Sequence, residues 1–431
     1  MNDSIIAFRA KEQLGKFLGK VFAHFSKPKK KFLADMLYGI QASGDTQLSS
    51  VMRAINDDPD MRHAVEKRLS RNVANEDIGD EIDRAILAEG ARHVRDDSLI
   101  LVDPTEIRKE FGLRMEHVTM VRDASRSSKE GREVLVHGYH GCMAVACQNG
   151  RRKTVPLALK LWSSSAKGHK GENEEVKAIV GEITKRTKKR GIFVYDRGGD
   201  NIELYRLFLE KGLDFIVRLK ERHVRSWKRN VMCGELAWEC RMRYREVVTF
   251  DHHGTEKRVT VEFGVVPVRL PDIPDRLLHM VVVRGFGRKP MMLLTTLAKT
   301  TTREALWQVV EGYITRWRVE DTIRHVKQSY NLEDMRLFKY DKIKAMAAIV
   351  LATAYFSMAW IGNSEKHEVI ARSIARMSFR IHEVPEFHFY SIADGASDIL
   401  KRGRRWRGFD PVEAERRDEA SLFAFFGMNT G

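Results

Sequence analysis

Apolar residues follow a helical period in the N-terminal part of the chain. Residues 32–40 are apolar-periodic, Gly44 and Asp45 interrupt the pattern, and residues 47–55 resume it as a second short helix. A basic cluster, residues 27–31, stands directly before the first of these helices. Helix, tight turn and helix beside a basic cluster are typical of a helix-turn-helix DNA reader. They are equally typical of an ordinary helical bundle with a solvated lysine cluster, and the pattern leaves both interpretations open.

From residue 98 the pattern changes to short, strongly apolar runs that predict strands. Residues 98–102 predict a buried strand that ends at Asp103, because Pro104 stops it. The next runs predict, in chain order, two hairpin strands joined through Asn149-Gly150, a charged helix, a strand, a helix and a strand: residues 134–148, 154–162, 172–189, 191–195, 202–209 and 214–219. The strand at 191–195 ends at Asp196. Mixed strands and helices in this order predict an α/β fold.

The pattern changes twice more towards the C-terminus. Residues 223–297 predict an all-β segment, and helical signal returns from Thr302. Residues 345–362 form an uncharged run just long enough to span a bilayer. Because the run is alanine-rich and holds Thr353 and Ser357, we interpret it as a buried core helix.

A polar stripe precedes that run. On a single helix with about 100° per residue, Tyr313, Arg316, Glu320 and Lys327 share a stripe roughly 60° wide. Apolar residues such as Val319 form the adjoining face. One carboxylate among two cations and a phenol can hold a metal ion beside phosphates. A solvated, salt-bridged helix face gives the same pattern, so the stripe alone decides neither.

Charge narrows the choice of partner. The 431 residues carry a formal net charge of +16, which indicates a polyanionic partner, nucleic acid before membrane. Charge does not separate DNA from RNA. The first residues lack a basic segment followed by an apolar one, so we expect no secretion signal.

Three carboxylates stand at chemically suggestive positions. Asp103 and Asp196 end buried strands, where ligands gather at the edge of an α/β sheet, and Glu320 lies on the striped helix. Oxygen ligands without histidine suit Mg²⁺ or Mn²⁺. Two such ions can activate an attacking hydroxyl and stabilise the leaving oxygen of a phosphoryl transfer.

These residues also carry a family resemblance. Tyr313, Arg316, Glu320 and Lys327 match the spacing Y-(2)-R-(3)-E-(6)-K, and Asp103 and Asp196 stand in Leu-Val-Asp-Pro-Thr-Glu and Tyr-Asp-Arg-Gly. The chain resembles the bacterial insertion-sequence transposases of the DDE class, and within them the Y-R-E-K subgroup. The resemblance covers roughly residues 98–361. It implies a ribonuclease H-like mixed sheet with flanking helices, interrupted by an all-β insertion and preceded by a helical N-terminal region.

The resemblance implies an activity and partners. The protein would bind the terminal inverted repeats of its element, cleave the ends with two divalent ions held by Asp103, Asp196 and Glu320, and join the 3′-OH to target DNA. Its partners would be double-stranded DNA and a second copy of the chain, without a membrane, in the bacterial cytoplasm at the nucleoid. A non-catalytic DNA-binding relic and a metal-dependent nuclease without strand transfer remain alternatives.

Further residues are candidates for DNA contact, and the division of the chain follows from the same resemblance. The expected DNA-binding side chains are Tyr313, Arg316, Lys327, Arg197, Lys29, Lys30 and Lys31. The expected regions are a helical DNA-binding region, the first part of the catalytic domain, a β insertion, the second catalytic part and a helical, basic tail: residues 1–95, 96–222, 223–297, 298–365 and 366–431.

Several polar and aromatic residues allow two roles. Arg197 either contacts phosphate or pairs with a neighbouring carboxylate. We expect Asp200 to cap the helix that begins near Asn201, with a spare metal ligand as the alternative. Trp227 and Trp238 are expected in the core rather than on a displaced base. The basic cluster at 401–407 is either a DNA-contacting loop or solvated surface.

Overall fold

The computed structural model describes residues 3–124, 126–127, 131–149, 153–226, 229–252, 255–297, 301–363, 367–378 and 389–402. Trp227 and residues 403–407 of the C-terminal basic cluster lie outside the described residues.

Helices occupy both ends of the chain and alternate with strands between them. They are α1 (Asp3–Val21), α2 (Lys27–Ser43), α3 (Leu48–Ile55), α4 (Arg62–Val73), α5 (Ile78–Ala91), α6 (Glu172–Thr187), α7 (Ile202–Lys211), α8 (Cys233–Glu239), α9 (Arg303–Thr315), α10 (Trp317–Ser329), α11 (Tyr340–Tyr355), α12 (Glu368–Ala375) and α13 (Phe389–Arg402). Short 3₁₀ turns lie at Arg197–Gly199 and Leu332–Asp334, and a π-helical turn, Phe356–Gly362, extends α11.

The strands form one continuous sheet. They are β1 (Ser98–Arg108), β2 (Thr119–Arg122), β3 (Leu135–Gln148), β4 (Thr154–Trp162), β5 (Ile192–Tyr195), β6 (Asp214–Arg218), β7 (His223–Ser226), β8 (Arg229–Met232), β9 (Tyr244–His252), β10 (Thr255–Leu270), β11 (Ile273–Arg284) and β12 (Met291–Thr295). Their order is β2-β3-β1-β5-β6-β12-β11-β10-β7-β8, with β4 also paired to β3 and β9 to β10. The expected α/β fold, a mixed sheet with flanking helices, is confirmed.

Strand β1 lies between β3 and β5 in this sheet. It pairs antiparallel with β3 and parallel with β5, and β5 pairs parallel with β6. The expected end at Asp103 is wrong, because β1 continues through Pro104 to Arg108. The pairing with β5 covers only Leu99–Leu101. Beyond Leu101, β1 pairs with β3 on one edge, and its pairing with β5 on the other edge has ended. An open strand edge tolerates a proline.

The β insertion differs from the expected all-β segment, and it also joins the central sheet. It holds a helix, α8, so it is not all β. Its last strand, β12, pairs antiparallel with β6. The insertion therefore extends the central sheet rather than standing apart from it. The four-residue strand β2 is a further element that the residue pattern did not indicate.

The uncharged run of residues 345–362 is the core helix that we expected. The segment Tyr340–Gly362 has the length and hydropathy of a membrane span, and 83% of its apolar window is buried inside the protein. Helix α11 packs against α2, α5 and β4. The buried apolar core runs as one cluster from Ile6 to Leu400, so the N-terminal and C-terminal helices share it.

Helices α2 and α3 follow each other across a tight turn, as the residue pattern predicts. Gly44 ends α2 in the left-handed conformation, with φ of 68°. The basic cluster does not precede the helix as expected, because α2 already begins at Lys27, where Pro28 suits a first turn. Helix α2 is buried without interruption over residues 32–42, whereas α3 buries only Val51 and Met52.

Candidate active site

The striped segment is two helices rather than one. Helix α9 ends at Thr315 and α10 begins at Trp317. At the junction the Arg316 N–H donates to Tyr313 O at 3.1 Å, and the Val319 N–H donates to Arg316 O at 3.0 Å. These are tight i,i+3 bonds with a helical backbone at Arg316, φ −53° and ψ −30°. The axis breaks there, but the polar side chains still turn towards the sheet.

Tyr313 reaches the carboxylate at the end of β5. Its hydroxyl donates to Asp196 Oδ1 at 2.6 Å. Arg218, at the end of β6, donates to the same hydroxyl at 3.3 Å, and its guanidinium lies 3.7 Å from Asp196 Oδ1. Helix α9 can approach this closely because Gly312 faces the sheet, where a Cβ would lie 2.9 Å from Ile216 Cδ1.

Arg316 connects the other two carboxylates. Its Nη2 donates to Glu320 Oε1 at 2.7 Å, and its Nη1 lies 3.6 Å from Asp103 Oδ1. The residue is only 4% exposed. The guanidinium therefore lies inside the cluster as a counterion between two acids, and in this arrangement it faces carboxylates rather than solvent.

The electrostatic environment shifts the pKa values of the two aspartates in opposite directions. Burial raises the pKa of Asp103 to about 7; Arg316 opposes that shift, while Glu320, Asp196 and Glu106 add to it. Burial also raises the pKa of Asp196, but the Tyr313 hydroxyl, the Arg197 N–H and two nearby arginines outweigh it, so the net pKa is lowered. Asp103 responds to both other carboxylates, so all three occupy one electrostatic cluster.

The donor set suits a divalent ion, although it is not pre-assembled. Within the described ranges no group of three or more His, Cys, Asp and Glu side chains is arranged to hold a metal. Arg316 fills the space between Asp103 and Glu320, and its Nε and Nη1 are buried without a hydrogen-bond partner. Asp103 and Glu320 side chains keep 20% and 30% exposure. The two carboxylates repel each other and are accessible, and two nitrogens of the Arg316 cation between them lack hydrogen-bond partners among the described residues. Such an arrangement fits a site that a divalent ion would complete.

Lys327, a residue of α10, contacts β1 beyond Asp103. Its Nζ donates to the Glu106 carbonyl at 2.5 Å and lies 3.3 Å from Glu333 Oε1. Glu333 also accepts from Arg108, with its closest contact at 2.7 Å. No residue pattern pointed to Glu333, because its role depends on strand β1 continuing past Pro104.

Arg197 and Asp200 follow Asp196. The Arg197 N–H bonds to Asp196, and its side chain lines a cleft of about 520 Å³. The expected Asp200 cap is wrong: Asn201 caps α7 by accepting from the Glu203 N–H at 2.9 Å. Asp200 instead accepts from the Lys220 N–H at 2.7 Å and from Arg222.

The expected core position of Trp238 is also wrong. Its side chain is 58% exposed and lines the same cleft as Arg197. Arg284 lies 5.5 Å from the ring centroid and donates to the Trp238 carbonyl at 2.8 Å. An exposed tryptophan beside a cation is accessible to a ligand.

The three N-terminal lysines are not equivalent. Lys29 Nζ pairs with Glu81 Oε2 at 2.6 Å, which joins α2 to α5. Lys30 is half-buried and Lys31 is exposed. All three lie in the first turns of α2, well separated along the chain from the carboxylate cluster.

Comparisons with known proteins identify a family for this chain. The family model described as the transposase DDE domain matches residues 95–357. No curated protein matches the chain. A solved piggyBac transposase synaptic complex with hairpin DNA, determined by cryo-electron microscopy, is similar at a TM-score of 0.41 and 10% identity, over 93% of this chain and 81% of that one. That likeness is too weak to support a conclusion. The family match spans more than half of the chain and includes all three carboxylates, so this protein belongs to the transposases with a DDE domain, which are DNA-transposition enzymes.

Proposed function

We propose that the protein binds the terminal inverted repeats of an insertion sequence, cleaves at the element ends and transfers the new 3′-OH to target DNA. The observation that carries the proposal is the cluster of Asp103, Glu320 and Asp196, joined through Arg316 and Tyr313. The family match and the net charge of +16 support DNA as the substrate.

Asp103, Asp196 and Glu320 would hold two Mg²⁺ or Mn²⁺ ions. When bound, such ions would activate the attacking hydroxyl and stabilise the leaving oxygen. Tyr313 keeps Asp196 ionised and oriented through a charge-assisted bond at 2.6 Å. Arg316 balances the negative charge of Asp103 and Glu320. With those carboxylates holding an ion, its guanidinium would be available to a phosphate.

The remaining contacts to DNA would come from other surfaces. Lys327, at the Glu106 carbonyl, and Arg197, next to Asp196 in the chain, would hold the backbone near the scissile bond. The basic first turns of α2, with Lys29, Lys30 and Lys31, would hold phosphates while α3 reads bases. We propose the same regions as the sequence suggests, a DNA-binding region at 1–95, the catalytic parts at 96–222 and 298–365, the insertion at 223–297 and the tail at 366–431.

Two element ends must be brought together for strand transfer, so the acting form would be a homodimer in the bacterial cytoplasm, at the nucleoid. The relic and the nuclease are the competing functions. A relic tends to lose a carboxylate, and this chain keeps all three. The nuclease differs only in its product.

Replacing Glu320 by Gln tests the proposal. The substitution removes metal-binding charge at nearly constant shape, so we expect cleavage to fall by at least about 100-fold. Binding of DNA should be retained. The assay incubates the protein with its element's flanking DNA and Mg²⁺ and maps the 3′ ends.

The neighbouring Asp321→Asn variant is the matched control, because Asp321 is the next carboxylate on the same helix and pairs with Arg318 and Arg324, each at 3.8 Å, rather than with Arg316. It should cleave normally. Wild-type cleavage by the Glu320→Gln variant would exclude metal catalysis at this cluster. Nicked ends without joined products would favour the nuclease.

A further inference from the structure

A groove lies beyond Lys327, outside the carboxylate cluster. It has a volume of about 730 Å³ and lies between the turn segment that follows β1, residues 109–118, and the segment after α10, residues 333–338. We call it the β1 groove. Neither metal binding nor the phosphate contacts of the proposed function use its walls.

The walls of the β1 groove carry unusually exposed apolar side chains. Phe111 is 96% exposed, Leu113 70% and Phe338 64%. Three such side chains around one concave site expose apolar surface that a folded protein would otherwise bury, and clustered exposure of this kind indicates a binding surface.

The charged side chains that are left without a partner in the groove, among the described residues, are mainly basic, which favours a polyanion. Arg114 and Arg336 line it, are exposed, and have no hydrogen-bond or ion-pair partner within the part of the chain that the structure describes. Eight charged residues line the groove, four basic and four acidic: Arg108, Lys109, Arg114 and Arg336 against Glu110, Asp123, Glu333 and Asp334. Glu110, Asp123 and Glu333 are already paired, so the unpaired arginines are available to phosphates.

The groove is held in shape rather than formed by loose loops. The Glu116 N–H donates to Phe338 O at 2.8 Å and ties the two walls together. Lys109 Nζ donates to Met335 O at 2.9 Å, and the Lys109 N–H donates to His137 O at 2.7 Å. The exposed rings are therefore presented by an ordered frame, which lowers the entropy cost of ligand binding.

Strand β1 connects the groove to the carboxylates. Asp103 and Arg108 lie on the same strand, and Arg108 bonds to Glu333 in the floor of the groove. Five residues of strand span roughly 17 Å, about the length of five stacked nucleotides. Lys327 lies between the two, on the Glu106 carbonyl. A strand of DNA leaving the carboxylates along β1 would pass Lys327 and enter the groove.

We propose that the β1 groove binds unpaired nucleotides next to the cleavage site, with bases on Phe111 and Phe338 and phosphates on Arg114 and Arg336. The inference rests on the proposed function. It adds that the DNA on the β1-groove side of the cleavage site is unpaired. Exposed aromatic faces suit single-stranded DNA, because bases in a closed duplex offer no free faces to stack upon.

The test compares two duplexes without added metal, one ending in a short non-complementary fork and one fully paired. Fluorescence anisotropy should show that the wild-type chain binds the fork on the order of tenfold more tightly for each stacked ring. Phe111→Ala and Phe338→Ala should each remove their share of this preference and leave paired-duplex affinity unchanged. Phe111→Tyr and Phe338→Tyr should retain it.

Phe286→Ala is the matched control, since Phe286 is a 41% exposed phenylalanine in the turn between β11 and β12. It should keep the fork preference. Equal affinity of the wild-type chain for both duplexes, or a preference that survives in the double alanine variant, would overturn the inference.

Two further outcomes separate the alternatives. If the double alanine variant loses a dimer in sedimentation and keeps the fork preference, the groove is an interface between copies of the chain and the inference is wrong. A wild-type chain that binds neither duplex would refute the proposed function itself. Normal binding of paired DNA without a fork preference would refute the groove alone.

Discussion

At the scale of single residues, the Asp103 carboxylate is held at a cost in folding free energy. Its pKa of about 7 exceeds the ordinary value of 3.8, with burial as the main cause. The folded chain therefore binds a proton that the unfolded chain releases between about pH 4 and pH 7. Stability of the metal-free protein consequently falls as the pH rises through that interval.

Replacing Asp103 by Asn should therefore stabilise the metal-free protein in alkaline buffer. We expect a gain of about 2 kcal/mol at about pH 8, and little change at about pH 5, where the wild-type carboxyl is already mostly protonated. Thermal melting at both pH values measures the difference. An equal gain at both would show that the charge is not the cause.

Asp123→Asn is the opposing control. Burial raises the pKa of Asp123, but bonds from the Arg126 N–H and the Arg108 guanidinium outweigh it, so the net pKa is lowered. Its ionised form stabilises the fold above the unfolded pKa, and that stability is lost as pH falls through the lower folded pKa. This variant should lose stability at about pH 8 rather than gain it.

The sequence could place Tyr313 and Glu320 on one face, because helical spacing is local. It could not reveal that Arg316 lies between Asp103 and Glu320, since that contact joins residues more than 200 positions apart. The exposure of Trp238 could not be predicted for a similar reason. An aromatic residue in a β-rich segment usually packs inward, and only the tertiary position of α8 leaves its ring exposed.

At the scale of elements, the packing of α3 on α2 depends on a glycine within α2. A Cβ on Gly39 would lie 2.5 Å from Val51 Cγ1 and 3.2 Å from the Val51 carbonyl. Helix α3 thus rests directly on the backbone of α2, and this contact sets how far α3 projects from the bundle.

Gly39→Ala should destabilise the protein by about 1–3 kcal/mol, because the added methyl group forces the two helices apart. Gly19→Ala in α1 is the matched control, since nothing lies within 4 Å of its Cβ position. It should be stabilised by up to about 1 kcal/mol through helix propensity. Urea denaturation measures both variants, and stabilisation of both would mean that α3 does not pack tightly on α2.

Elements with strong local signals were predictable, and their junctions were not. The hairpin strands β3 and β4 and helix α6 lie within a residue or two of their expected bounds. The sequence predicts an end of β1 before Pro104 that is too early, because it does not show that one edge of the strand is open there. The break at Arg316 and the short helix α8 likewise depend on packing rather than on residue pattern.

At the scale of the whole molecule, the net charge of +16 does not act uniformly. Lys29 is engaged by Glu81, whereas the neighbouring Lys31 is exposed and has no ion-pair partner among the described residues that would compete with a phosphate. Only cations that are free to neutralise a phosphate displace a counterion condensed on the DNA, and so contribute to the salt dependence of binding.

Replacing Lys27, Lys30 and Lys31 together by Gln should weaken binding to repeat and scrambled duplexes alike. The slope of log affinity against log salt should fall by about 0.9 for each phosphate that the variant no longer neutralises, and preference for the repeat should survive. Lys29→Gln should change the slope much less, because Glu81 already neutralises that lysine. Binding titrations at two salt concentrations measure these slopes. A triple variant that no longer prefers the repeat would show that the lysines contribute to sequence recognition.

The α/β architecture followed from the order of elements, but the unity of the core did not. Sequence pattern suggested a β insertion and a C-terminal tail as separate regions. In the structure β12 joins the central sheet, and α13 shares its apolar core with α1 and α2. Pairings of this kind link distant segments, and no local period reports them.

The packing of α13 on α2 has a consequence for how the protein is made. Tyr38 donates to Leu400 O at 3.2 Å, Gln41 to Ala393 O at 3.2 Å, and Ser397 to Ala42 O at 2.8 Å. At ordinary translation rates about half a minute separates the synthesis of α2 from that of α13. During that time the N-terminal helices lack their cover. A gene shortened by a stop codon before residue 389 would therefore yield chains with an exposed apolar face, which proteases remove, rather than a folded competitor for the element's ends.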